Sequence, residues 1–228
     1  MTLFTKLISF SLLLLTSLAS YSQAEPFTLS FQPMFGKEQL VLDKGYYLPR
    51  SNDTITIEKL RFYVSNISLF KKGKAVVHPT EAYHLIDVEG KLQIPFALNS
   101  PFLFDSIRFD IGVDSVANVS GALGGDLDPT NGMYWAWQSG YINFKLEGTS
   151  KRCRTRNAAF QFHIGGYSSP NASLQTVTLP FRKEGIVLVD IEKLLADIDL
   201  STMNEIMSPG AKALRVATMY KTIFSMKE

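Results

Sequence analysis

The chain has 228 residues, 46% of them hydrophobic and 12% aromatic, and a formal net charge of +2. That balance offers no basic face for nucleic acid or an acidic membrane. A single cysteine excludes an intramolecular disulfide, so the fold must stand on an apolar core, and the length allows one domain or two small ones.

In chain order, residues 1–24 come first. Lys6 is their only charge, an apolar run fills residues 7–18, and Ser22 and Ala24 stand as in a small-x-small cleavage site. This is the layout of a secretory signal peptide, and the run is shorter than the roughly 20 residues that span a bilayer. Cleavage after Ala24 is expected. It would leave residues 25–228 periplasmic or secreted, with no membrane span in the mature chain.

Period-two alternation dominates the next two-thirds of the chain. Phe27, Leu29 and Phe31 alternate with polar residues, as do Ile55 and Ile57 in a run that continues through Phe62, Val64, Ile67 and Leu69. The pattern returns at Ile107, Phe109, Ile111 and Val113, at Ile142, Phe144 and Leu146, and at Phe160, Phe162 and Ile164. Half-buried strands are predicted near 27–32, 54–70, 105–114, 141–147 and 158–164, and more fully buried ones near 83–88 and 186–191. Turn residues separate them, as in Lys72-Gly73-Lys74, residues 124–129 and Gly165-Gly166-Tyr167. Residues 191–198 could form a short helix. After Pro209, the spacing of Ala213, Val216, Tyr220, Ile223 and Phe224 predicts a helix over 210–224. The expected fold is all-β, an antiparallel β-sandwich with a short C-terminal helix, in one domain over 25–228.

Catalytic motifs are absent: there is no phosphate-binding glycine loop, no G-x-S-x-G and no H-E-x-x-H. Nothing assembles a nucleophile, a base and an oxyanion donor, so the chain reads as a non-enzyme. Of the three histidines, His78 adjoins Pro79 in a loop and His84 lies within a strand; either alone is more often structural than a ligand. Asp114, Asn118, Asp126 and Asp128 carry oxygens of the kind calcium takes, although turn capping is the commoner reason for such residues. Cys153 stands among Lys151, Arg152 and Arg154, which could lower a thiol pKa; an incidental thiol in a polar loop is the simpler reading.

Two stretches carry more. Residues 131–141 hold both tryptophans, Trp135 and Trp137, with Met133, Tyr134 and Tyr141. In an extended run the two indoles would share a side, and an aromatic core plug is the usual fate of such a cluster. In Phe160-Gln161-Phe162-His163-Ile164-Gly165-Gly166 the phenylalanines face the core, so His163 projects from the other face, where an imidazole can ligate a soft metal.

The order and spacing of these stretches resemble the MbnP-like family, periplasmic proteins linked to copper handling. The resemblance runs from Phe31-Gln32-Pro33-Met34-Phe35-Gly36 through Leu60-Arg61-Phe62-Tyr63-Val64-Ser65-Asn66 and Phe109-Asp110-Ile111-Gly112-Val113-Asp114. It continues to Met133-Tyr134-Trp135-Ala136-Trp137-Gln138-Ser139-Gly140-Tyr141 and Phe162-His163-Ile164-Gly165-Gly166. It implies a mostly β fold. It also implies copper held by histidine nitrogens and by a tryptophan that a diheme partner, related to cytochrome c peroxidases and MauG, oxidises to kynurenine. Carried over, Trp135 or Trp137 would be the oxidised residue and His163 a copper ligand. Copper-binding members often place a histidine just before the first tryptophan; here Tyr134 stands there. His84 or His78 could then supply a second nitrogen, or Met133 a thioether suited to Cu(I). The resemblance implies copper uptake, storage or delivery; the departure leaves open a metal-free interaction module of the same fold.

Overall fold

The computed structural model describes residues 25–77, 81–98, 104–138 and 140–228; the expected signal segment and His78 lie outside them. The chain runs through β1 (Glu25–Phe35), β2 (Glu38–Gln39), β3 (Gly45–Leu48), β4 (Asp53–Lys71), β5 (Lys74–Val77), β6 (Tyr83–Asp87), β7 (Gln93–Leu98) and β8 (Ser106–Ile111). Helix α1 (Ser115–Val119) precedes β9 (Tyr134–Trp135), β10 (Gly140–Ser150), β11 (Ala159–Gly165), β12 (Gln175–Pro180) and β13 (Ile186–Asp190). Helix α2 (Ile191–Ala196), β14 (Glu205–Ile206), helix α3 (Ala211–Ile223) and β15 (Phe224–Met226) complete the chain. No helix among the described residues is long and apolar enough to cross a membrane.

Two sheets result. The larger, a curled half-barrel, has the order β12-β8-β4-β10-β11-β14, with β3, β5 and β6 also on β4 and β9 on β10. The smaller has the order β15-β13-β1-β2, with β7 also on β1. Strand β4 is the spine. It pairs with β10 over residues 55–62 and with β8 over residues 64–70. Where the two partners exchange, a polar seam closes the gap. The Gly112 N–H donates to the Tyr63 carbonyl at 2.9 Å and the Val113 N–H to Asn143 Oδ1 at 2.9 Å, while Asn143 Nδ2 donates to Ser173 Oγ at 2.9 Å. Gly112 has φ +124°, and a Cβ there would lie 2.5 Å from the Asn143 side chain, so glycine alone fits.

Alternation of apolar residues turns one face of each sheet inward. Phe31 of β1 meets Phe62 of β4 and Phe109 of β8 edge to face at 5.6 and 5.8 Å, and Phe224 of β15 meets the same two rings at 5.7 and 5.9 Å. Helix α3 buries Ala213, Val216, Ala217, Tyr220 and Ile223, and Tyr220 stacks on Phe144 of β10 at 4.7 Å.

The protein is mostly β rather than all-β, with 47% strand and 19% helix, so helices supply a real share of the packing. Pairing is mainly antiparallel, but β1·β13 and β11·β14 are parallel. These partners are distant in sequence, so no hairpin dictates their direction. Strands β3, β5, β7 and β12 were not expected. β7 contains Pro95, whose missing N–H is tolerated because among the described residues β7 pairs only with β1, as an edge strand. Cys153 lies in the expected basic loop after β10, beside exposed Lys151, Arg152 and Arg154, but its side chain turns inward; its thiol donates to the Leu200 carbonyl at 3.5 Å, and burial pushes its pKa up, not down.

Candidate metal site

Between β8 and β10 the chain makes a long excursion over the outer face of the larger sheet. Val113, Ala117, Leu127, Met133 and Trp135 pack there with Tyr63, Leu85, Tyr141 and Ile142 in a second apolar cluster, separate from the main core. Polar side chains pin this lobe. Asp114 caps α1 through the Ala117 N–H and accepts the Tyr83 hydroxyl, while Asp128 accepts the Thr130 N–H and hydroxyl. Asp126 accepts the Leu85 N–H at 2.8 Å and Lys91 Nζ at 2.6 Å. Buried Asn118 donates to the Val113 and Asp114 carbonyls and accepts the Tyr141 N–H at 2.8 Å. The residues considered for calcium are thus spent on caps and turns.

The two tryptophans separate. Extended backbone ends at Trp135 and residues 136–138 form a turn, so the same-side expectation fails. Trp135 is 5% exposed and Trp137 68% exposed, although their rings remain 6.1 Å apart at 50°. The Trp135 ring lies where a side chain on residue 165 would be: a Cβ there would sit 2.6 Å from the ring and 2.5 Å from the Tyr141 carbonyl oxygen. Gly165 therefore serves close approach, while Gly166, with φ +123°, serves the turn. The Trp135 indole N–H is buried and has no hydrogen-bond partner among the described residues. Met133 is fully buried in the same cluster.

His163 joins this site through β11. Phe160, Phe162 and Ile164 fill the main core, which puts His163 on the outer face with Gly165. Trp135 thus covers the strand position one side-chain repeat beyond His163, on the same face. The imidazole is 7% exposed, and its Nε2 lies 2.6 Å from Glu147 Oε1. Lys145 Nζ stands 3.6 Å from that carboxylate. The histidine bond and then the lysine charge overcome burial and hold the Glu147 carboxyl down at about 2. Nδ1 of His163 has no hydrogen-bond partner among the described residues. Sequence reasoning missed Glu147 and Lys145. Their signal was present, since both alternate with the buried Phe144 and Leu146 and so share the outer face of β10.

His84 does not join them. It pairs with Val64, and alternation with Leu85 of the outer cluster sends it toward the main core beside Ile86 and Val64. It is 3% exposed, its Nε2 has no partner among the described residues, and burial pushes its pKa down. Tyr134 is half-buried and packs edge to face on Tyr141 at 5.0 Å. Among the described residues no group of three or more His, Cys, Asp or Glu is placed to hold a metal ion.

The profile of the MbnP family matches residues 24–208. Among solved structures, MbnP from Methylosinus trichosporium superposes with a TM-score of 0.63 over 83% of each chain, at 14% identity, a likeness of fold. No curated protein sequence matches the chain.

Proposed function

The chain belongs to the MbnP family, and from that premise we propose that it is a periplasmic copper-binding protein, serving uptake, storage or delivery without catalysis of its own. One observation carries the reading: Trp135 and His163 occupy one outer face, with the indole packed on the glycine two residues beyond the histidine. As translated, the donor set is thin. His163 has one nitrogen engaged by Glu147, Met133 offers a thioether, and an intact indole is no ligand because its lone pair belongs to the aromatic system.

Oxidation of Trp135 would complete the set. Two equivalents of hydrogen peroxide, activated by a partner enzyme, would place one oxygen atom on each of C2 and C3 of the pyrrole ring, cleaving the C2–C3 bond and leaving two waters. A further water then hydrolyses the formamide and releases C2 as formate, leaving an aniline amine and a ketone. The change breaks no hydrogen bond among the described residues, where the indole N–H has no partner. His163, the opened ring and Met133 would then hold copper as cargo. That partner would be a diheme enzyme of the cytochrome c peroxidase and MauG kind.

Protein made without that partner is expected to keep both indoles and bind copper poorly. Co-expression with such a diheme enzyme should give kynurenine's mass and near-UV absorbance at residue 135 and raise copper affinity about tenfold or more. His163→Ala should abolish the gain. A modified protein that binds copper no better than the unmodified one would remove the basis of this reading. Tyr134, standing where a second imidazole would be, would then favour the other reading, a metal-free interaction module of the same fold. In the native host, the mature N-terminus is expected near Glu25, and mass spectrometry of the envelope fraction reads it directly.

A further inference from the structure

The outer face of the larger sheet carries charged side chains in register across three strands. Lys145 of β10 lies opposite Arg61 of β4 and His163 of β11, and Glu147 lies opposite Lys59 and Gln161. Arg61 Nη1 donates to the Asn131 carbonyl at 3.0 Å and Lys145 Nζ to the Gly132 carbonyl at 3.1 Å. These two cations therefore grip the turn that leads into Met133 and Trp135. From Lys145 the contacts run on to Glu147 Oε1 at 3.6 Å, and from that same oxygen to His163 Nε2 at 2.6 Å.

The place of the proton in this last pair follows from chemistry. Two lone pairs at 2.6 Å would repel, so one hydrogen lies between the atoms. Glu147, with a lysine beside it, is a carboxylate and can only accept, so Nε2 carries the hydrogen. In the neutral ring the lone pair then falls to Nδ1. Nδ1 has no hydrogen-bond partner among the described residues, on a side chain that is 7% exposed. Register adds a direction. Glu147 stands opposite residue 161, two residues before His163, while the Trp135 ring covers Gly165, two residues beyond it. The two ring nitrogens diverge, so turning Nε2 toward Glu147 turns Nδ1 away from it.

We propose that Glu147 is a positioning residue, which fixes His163 as the Nε2–H tautomer and makes Nδ1 the nitrogen offered to copper. This rests on the copper reading above. Glu147 touches no metal and acts through the imidazole, whose free nitrogen becomes a better donor when the other gives its hydrogen to a carboxylate. Lys145 ties that carboxylate to the Gly132 carbonyl, so the histidine and the lobe carrying Trp135 are held together.

The test begins with nuclear magnetic resonance of the metal-free mature chain, labelled with nitrogen-15 histidine, in mildly alkaline buffer. The chain has three histidines, and the signals of His163 are those missing from His163→Gln. Nε2 is expected to carry a proton that exchanges slowly with water, and Nδ1 to show the downfield shift of a nitrogen with a free lone pair. Glu147→Leu should lose the slowly exchanging proton and mix the two tautomers. Glu147→Gln, whose amide oxygen still accepts, should keep the proton on Nε2. Far-UV circular dichroism confirms that each variant is folded. A proton on Nδ1 in the unaltered protein, or an Nε2 proton exchanging as slowly in Glu147→Leu, would overturn the proposal. The second arm titrates Cu(I) against a competing chelator in protein whose Trp135 has become kynurenine. Glu147→Leu should bind roughly tenfold to a hundredfold more weakly, and Glu147→Gln should lose less. Undiminished affinity in Glu147→Leu would overturn the positioning role. The first arm contains no metal, so a fixed tautomer in a protein that binds no copper would sink the copper reading alone.

Discussion

His84 buries its imidazole beside Val64 and Ile86, with Nε2 unpartnered among the described residues and Glu81 3.7 Å from Nδ1. Burial lowers its pKa below the ordinary value of 6.5. In the unfolded chain the ring protonates as pH falls through that value, while in the fold it stays neutral to lower pH. The unfolded state then binds more protons, so the stability His84 supports is complete above pH 6.5 and declines below it. The slope from this one group reaches at most about 1.4 kcal/mol per pH unit. Urea melts at pH 7.5 and pH 5 should show His84→Leu losing less stability on acidification than the unaltered protein. A histidine in a strand is visible in sequence, but the side of the sheet it faces relative to His163 is not. That depends on registers between β6, β4, β10 and β11, which are set by pairings remote in sequence. Gly165 shows the same boundary: as a turn glycine it is legible, but as the floor beneath an indole from another strand it is not.

Elements with a strict period were legible. The expected strands at 54–70 and 158–164 correspond to β4 (53–71) and β11 (159–165), and the expected helix at 210–224 to α3 (211–223), because one buried face demands a repeat. Two-residue β9 and the turn after it have no period, so the split between Trp135 and Trp137 was hidden. Helix α3 offers a direct test. Tyr220 is fully buried against Phe144, and its hydroxyl has no partner among the described residues. Tyr220→Phe keeps the stacking and removes a desolvated hydroxyl, so it should stabilise the protein by about 1 kcal/mol, read as a raised Tm.

At the scale of the molecule, the C-terminus closes the core. The match to the family profile ends at residue 208, yet β15 pairs with β13, and Val216, Ala217, Tyr220, Ile223 and Phe224 beyond that point are 3% exposed or less. Full burial of a large apolar side chain contributes about 1.5–3 kcal/mol, and whole domains are stable by only about 5–15 kcal/mol. A chain ended after residue 208 should lose its near-UV circular dichroism and its cooperative thermal transition. A folded, cooperative truncation would show that the two sheets hold without α3.

Taken alone, the sequence determined the alternating strands, the C-terminal helix, the face of His163 and the resemblance that the family profile bears out. Each of these is carried by local period or by motif, and needs no knowledge of distant neighbours. Tertiary structure alone decided the parallel pairing of β1 with β13, the burial of Cys153, the bond from His163 to Glu147 and the packing of Trp135 on Gly165. The physical reason is shared: each requires two segments to meet whose sequences carry no mark of one another, and only closure of the sheets brings them together.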